Sequence, residues 1–77
     1  MNKQRRKTLS DLQSRLEETA DEIETALGEE QDYYDATPEG IQSGEKGDTA
    51  QEAINELEQA LGQVRDAISG LENAASQ

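Results

Sequence analysis

Residues 50–77 divide without a gap into four frames of seven, AQEAINE, LEQALGQ, VRDAISG and LENAASQ. The first position of each frame is apolar: Ala50, Leu57, Val64 and Leu71. The fourth is alanine throughout, at Ala53, Ala60, Ala67 and Ala74, and the fifth is Ile54, Leu61, Ile68 and Ala75. Apolar residues repeating at this interval predict a helix packed lengthwise against another helix. Alanine at every fourth position predicts a close partner backbone, because only a methyl group fills the seam. Residues 9–36 follow the same logic less cleanly, in the frames LSDLQSR, LEETADE, IETALGE and EQDYYDA. Their first positions are Leu9, Leu16, Ile23 and Glu30, their fourth Leu12, Thr19, Ala26 and Tyr33, and the fifth adds Ala20, Leu27 and Tyr34.

The punctuation between the two patterns sets the expected boundaries. A basic tail at 1–7 precedes a helix over about 8–34, with Thr8 or Ser10 capping its free N–H groups; the alternative is helical continuation back through KQRRK. Gly28 inside that helix costs roughly 1 kcal/mol relative to alanine if exposed. Pro38 forbids helical continuation through Thr37, so the helix stops before it. Residues 37–48 hold Pro38, Gly40, Gly44 and Gly47 and read as a connector. Thr37-Pro38-Glu39 has the form of a cap, a first-turn proline and a favourable acid, enough for one turn containing Ile41. Thr49-x-x-Glu52 has the form of a capping box. It predicts a second helix over about 49–75.

Two long helices joined by a short connector predict an all-α antiparallel two-helix hairpin with heptad packing, a single domain over 1–77. A strict two-helix seam needs two apolar positions in seven. Here about three in seven are apolar, which predicts dimerisation into a four-helix bundle. The expected core and dimer contacts are Leu9, Leu12, Leu16, Ile23, Leu27, Ile54, Leu57, Ala60, Leu61, Val64, Ala67, Ile68 and Leu71.

Composition strengthens the expectation of an oligomer. Only 31% of the 77 residues are apolar, and Phe, Trp, Cys and His are absent. A domain this small is marginal alone, and without Cys or His neither a disulfide nor a zinc site can staple it. Charge follows the hairpin. Residues 1–15 carry five bases against Asp11, or +4, and residues 16–77 carry two bases against seventeen acids, or −15. The open end of a hairpin is then basic and its turn end acidic. The bases at the start of the first helix oppose its dipole but lie beside the carbonyl end of the second. No apolar run of signal-peptide length follows the basic start, and none approaches a membrane span. The expected location is the cytosol.

Without His or Cys, the usual base, nucleophile and zinc ligands are missing. No catalytic residue, metal or cofactor is expected. The acidic pairs read as a solvated face, and Gly40–Gly47 lacks the spacing and Lys-Ser/Thr pair of a phosphate loop. Two clusters can recognise a partner. Tyr33, Tyr34, Asp35 and Ile41 offer an apolar anchor, with the alternative that the tyrosines cap the core beneath the connector. Arg5, Arg6, Lys7 and Lys46 are candidate anion-binding residues, with a solvated tail as the alternative. The acidic body makes direct nucleic-acid binding unfavourable.

The run EEQDYYDATPEGIQSGEKGDTAQEAINELEQAL, with its basic RRK start and heptad alanines, resembles a family of small acidic helical proteins encoded by tailed bacteriophages and prophages. That family carries a Tyr-Tyr-Asp or Tyr-Phe-Asp, a Pro-Glu and a Ser-Gly-Glu-Lys-Gly before an Ala/Glu helix. It has no assigned activity, so the resemblance transfers no functional residue. It implies a phage-origin accessory protein acting in the cytoplasm of the bacterial host cell. The leading expectation is a non-enzymatic protein that acts by protein–protein interaction, as an inhibitor of a host protein or defence component. The competing readings are an acidic nucleic-acid mimic, an oligomeric binder of a small anionic nucleotide, and a structural coiled-coil adaptor.

Overall fold

Three helices account for almost all of the computed structural model, which describes residues 2–77. They are α1 (Lys3–Ala36), α2 (Glu39–Gln42) and α3 (Glu45–Ala75). Among the described residues there is no strand. The two long helices run antiparallel. Arg6 Nη2 donates to the Gln77 carbonyl (3.2 Å), Gln13 Nε2 to Glu72 (3.1 Å), Arg65 pairs with Glu24, and Gln42 Nε2 donates to the Tyr34 carbonyl (2.7 Å). The Arg6 contact is the expected meeting of a cation with the carbonyl end of the neighbouring helix.

Both long helices begin earlier than the sequence suggests. Of the expected tail 1–7, Met1 lies outside the described residues and 3–7 are helical: α1 starts at Lys3, where the Asn2 side chain accepts the Arg5 N–H (2.8 Å). It runs to Ala36 rather than 34. Thr8 does not cap; it lies inside the helix and its hydroxyl donates to the Gln4 carbonyl (3.2 Å). The capping box at Thr49 is likewise absent, because Thr49 is internal and bonds back to the Glu45 carbonyl (3.0 Å). Threonine satisfies its hydroxyl either as a cap or on the preceding turn. Here the extra turns win, since each adds ladder hydrogen bonds. The connector therefore shrinks from 37–48 to 37–44, and a single turn, α2, occupies most of it.

Burial selects one face of each helix. In α3 the buried residues are Gly47, Ala50, Ile54 and Leu61, and Leu57, Val64, Ile68, Leu71 and Ala75 are half-buried. In α1 Ala20 is buried, and Leu9, Leu16, Ile23, Leu27 and Tyr34 are half-buried. These are first and fifth positions of the frames. The fourth positions stand beside the contact between the helices. Ala53, Ala60 and Ala74 are half-buried, whereas Ala67, Leu12, Thr19, Ala26 and Tyr33 are exposed. The fourth-position alanines thus do not set the α1–α3 spacing. Ala20, Ala50 and Gly47 provide the small residues there.

The interior is thin. No side chain among the described residues is completely enclosed. The Cα atoms extend over 58 × 14 × 12 Å, with a radius of gyration of 17.4 Å. A compact chain of this length has a radius near 11 Å. The accessible surface is 5607 Å². A globular monomer of this mass exposes about 4,700 Å². The excess is a direct consequence of folding 77 residues into one layer of paired helices.

Candidate partner-binding surface at the turn end

The turn end is built by short-range hydrogen bonds. At the end of α1 the Thr37 N–H donates to the Tyr34 carbonyl (3.1 Å), and its hydroxyl to the Tyr33 carbonyl (2.7 Å). Thr37 therefore closes α1 rather than opening the next helix. Pro38 stands at the start of α2, where its carbonyl accepts the N–H groups of Ile41 (2.8 Å) and Gln42 (2.9 Å). Glu39 lies in the first turn, the favourable place for an acid. The Gln42 side chain then reaches back 8 residues to the Tyr34 carbonyl (2.7 Å), adding a second donor to the acceptor that Thr37 already engages at the helix end.

Gly44 caps α3 with its backbone, its carbonyl accepting the Asp48 N–H (3.0 Å). Gly47 is buried one turn further on. Its backbone lies directly against α2: a Cβ there would overlap the Gln42 carbonyl and sit 2.6 Å from the Gln42 Cα. Only glycine allows α2 to press onto α3 at this point. The Ser-Gly-Glu-Lys-Gly run thus has a structural purpose. Its first glycine starts α3, and its second admits the connector backbone.

On this platform the two tyrosines part. Tyr34, a fifth-position residue, is half-buried toward the helix contact. Tyr33, a fourth-position residue, is 54% exposed, and Ile41 on α2 is 46% exposed. Asp35 is exposed, and Glu29, Asp32, Glu39 and Glu45 add an acidic border. Tyr33 borders an open groove of about 400 Å³, together with Glu30, Glu45, Lys46, Thr49 and Ala50. Lys46 stands in it near two carboxylates.

The candidate anion-binding residues do not come together within one chain. Arg5, Arg6 and Lys7 are exposed on the first turns of α1, at the open end, and Lys46 lies at the turn end. A helix of 34 residues separates them, or about 50 Å at 1.5 Å per residue. Arg6 is engaged by the Gln77 carbonyl, and Lys7 pairs with Asp11 at 3.1 Å. Sequence reasoning missed Gly47 and Gln42, the residues that hold the turn end in shape. A glycine inside a charged stretch reads as a breaker, and nothing in the sequence separates that role from a close backbone approach.

Among the described residues no three His, Cys, Asp or Glu side chains are placed to hold a metal ion, and no helix is long and apolar enough to cross a membrane. Comparison with family models, with curated proteins and with solved structures finds no match to this chain.

Proposed function

We propose that this chain is a non-enzymatic accessory protein of phage or prophage origin that works in the bacterial cytoplasm by docking onto a protein partner. Its working form is a homodimer of hairpins, a four-helix bundle held by heptad packing. Its partner contact is the turn end, where it blocks a host protein. The observation that carries this reading is the pairing of exposed Tyr33 and Ile41 on a connector fixed by Gly47 and Gln42. Large apolar side chains on a rigid base inside a charged border have the anatomy of an interface anchor. The absence of His and Cys agrees with a binding role. The thin interior and the excess surface support the dimer, because a second hairpin covers what one hairpin leaves wet.

The tyrosines provide the test. Tyr33→Ala removes exposed area and should leave the melting temperature within a few degrees of wild type. It should also abolish retention of a partner that immobilised wild-type protein captures from bacterial lysate, since losing an anchor costs about 2 kcal/mol or more. Tyr34→Ala empties a half-buried site and should lower the melting temperature instead. Equal retention by wild type and Tyr33→Ala would remove the turn end from the binding surface.

A further inference from the structure

The hairpin has two unlike flanks. On one, second-position residues of both helices meet, as in the Glu24–Arg65 ion pair. On the other, fourth-position residues share a side, since Tyr33 of α1 and Lys46 of α3 line the same groove. This second flank carries small and apolar residues between its charged ones. It runs from Leu12 through Thr19 to Ala26 on α1, with Ala60, Ala67 and Ala74 on α3, and stops short of Tyr33 at the turn end. Leu12 is its exposed large apolar residue, at 36%.

Charge on this flank is ordered from end to end. Its fourth and seventh positions on α1 read Arg5 and Arg15 toward the open end, then Glu22 and Glu29 toward the turn. All four are exposed, and none is ion-paired among the described residues. From α3, Glu56 adds to the acidic half. Against that order, Lys46 is a base at the turn end, lining a groove with Glu30 and Glu45 but ion-paired with neither among the described residues.

We propose that this flank is the dimer face, and that it takes a second copy of the chain with its ends reversed, so that each α1 lies across the other copy's α1. The inference rests on the dimer reading above and adds its face and orientation. Reversal sets Arg5 and Arg15 of one copy over Glu29 and Glu22 of the other, twice by symmetry. The alternative two-fold, with the turn ends together, stacks Glu22, Glu29 and Glu56 of both copies at one end. Like charges facing across an interface oppose association, so this pattern selects the reversed arrangement. The face is large enough. From Arg5 to Glu29 α1 is about 36 Å long, which with the 14 Å width of the hairpin gives a footprint of about 500 Å² per copy, or about 1,000 Å² in all, the size that a specific interface reaches. Alanines at the fourth positions of α3 let the second copy's backbone come close.

Charge exchange and cross-linking together test the proposal. Arg15→Glu and Glu22→Arg should each weaken the dimer about tenfold or more in sedimentation equilibrium. The double variant should return it close to wild type. A control pairing Arg15→Glu with Glu18→Arg, off this flank, restores net charge and should not rescue. The chain has no cysteine, so Leu12→Cys and Ala26→Cys proteins, mixed and mildly oxidised, should give the mixed disulfide. A disulfide between Leu12→Cys and Ala74→Cys proteins instead, without charge rescue, would overturn the orientation. A dimer indifferent to every substitution on this flank would overturn the face. A wild-type monomer would overturn the dimer reading itself, whatever the flank contributes.

Discussion

Gly47→Ala should be the most damaging single methyl in this protein. The added Cβ meets the backbone of Gln42, not the end of a flexible side chain. Relief requires α2 to lift from α3, which releases the Gln42 bond to the Tyr34 carbonyl and uncovers Ala50. Overpacking against backbone costs about 3 kcal/mol or more. The whole stability of a chain this size is about 4–12 kcal/mol. A fall in melting temperature of more than 10 °C is expected, since 1 kcal/mol moves the midpoint of a small domain by about 4–8 °C. Gly62→Ala is the matched control. Nothing lies within 4 Å of its would-be Cβ. Alanine in an open helix interior should stabilise by up to about 1 kcal/mol. If both variants melt alike, the close approach at Gly47 is not what holds the turn end.

Leu61→Ala should produce the second-largest loss. Among the described residues, Leu61 and Ile54 are the only large side chains that the hairpin buries, at 7% and 4% exposed. Truncating a buried leucine costs about 2–5 kcal/mol. The lower part of that range applies, because the thin core lets neighbours and water close on the gap. Gln59→Ala, exposed on the same helix, should stay within about 0.5 kcal/mol of wild type. Urea unfolding of the three proteins at one concentration decides it. Equal midpoints for Leu61→Ala and Gln59→Ala would mean that the centre of the hairpin contributes little to stability.

The two long helices were legible because apolar residues at an interval of seven can be satisfied by a single helix face. Their antiparallel order followed from the glycines and the proline between them. The seam itself was ambiguous, since first-plus-fourth and first-plus-fifth positions both give a continuous stripe. Burial of Ile54 and Leu61 resolves it: the larger side chains occupy the contact, and the alanines stand beside it. The same shift sorts the tyrosines, because Tyr33 occupies a fourth position and Tyr34 a fifth. The helix starts were not legible. Threonine serves equally as a cap or as an internal residue bonded to the turn before it, and four internal threonines here do the latter, at Thr8, Thr19, Thr25 and Thr49. Asn2 carries a cap that the basic cluster after it disguises. The proposed partner surface was legible only as composition. Which of its residues point outward depends on the packing of α2 against Gly47, a contact between backbones that leaves no trace in the apolar pattern.

In the proposed dimer, a second hairpin on the exposed flank covers what one hairpin leaves wet. Sedimentation equilibrium of the wild-type chain at micromolar concentration tests this most directly. A folded species of twice the 8.5 kDa chain mass is expected, with a single cooperative melt that shifts upward with protein concentration. A helical, cooperatively melting monomer of 8.5 kDa at high micromolar concentration would contradict it.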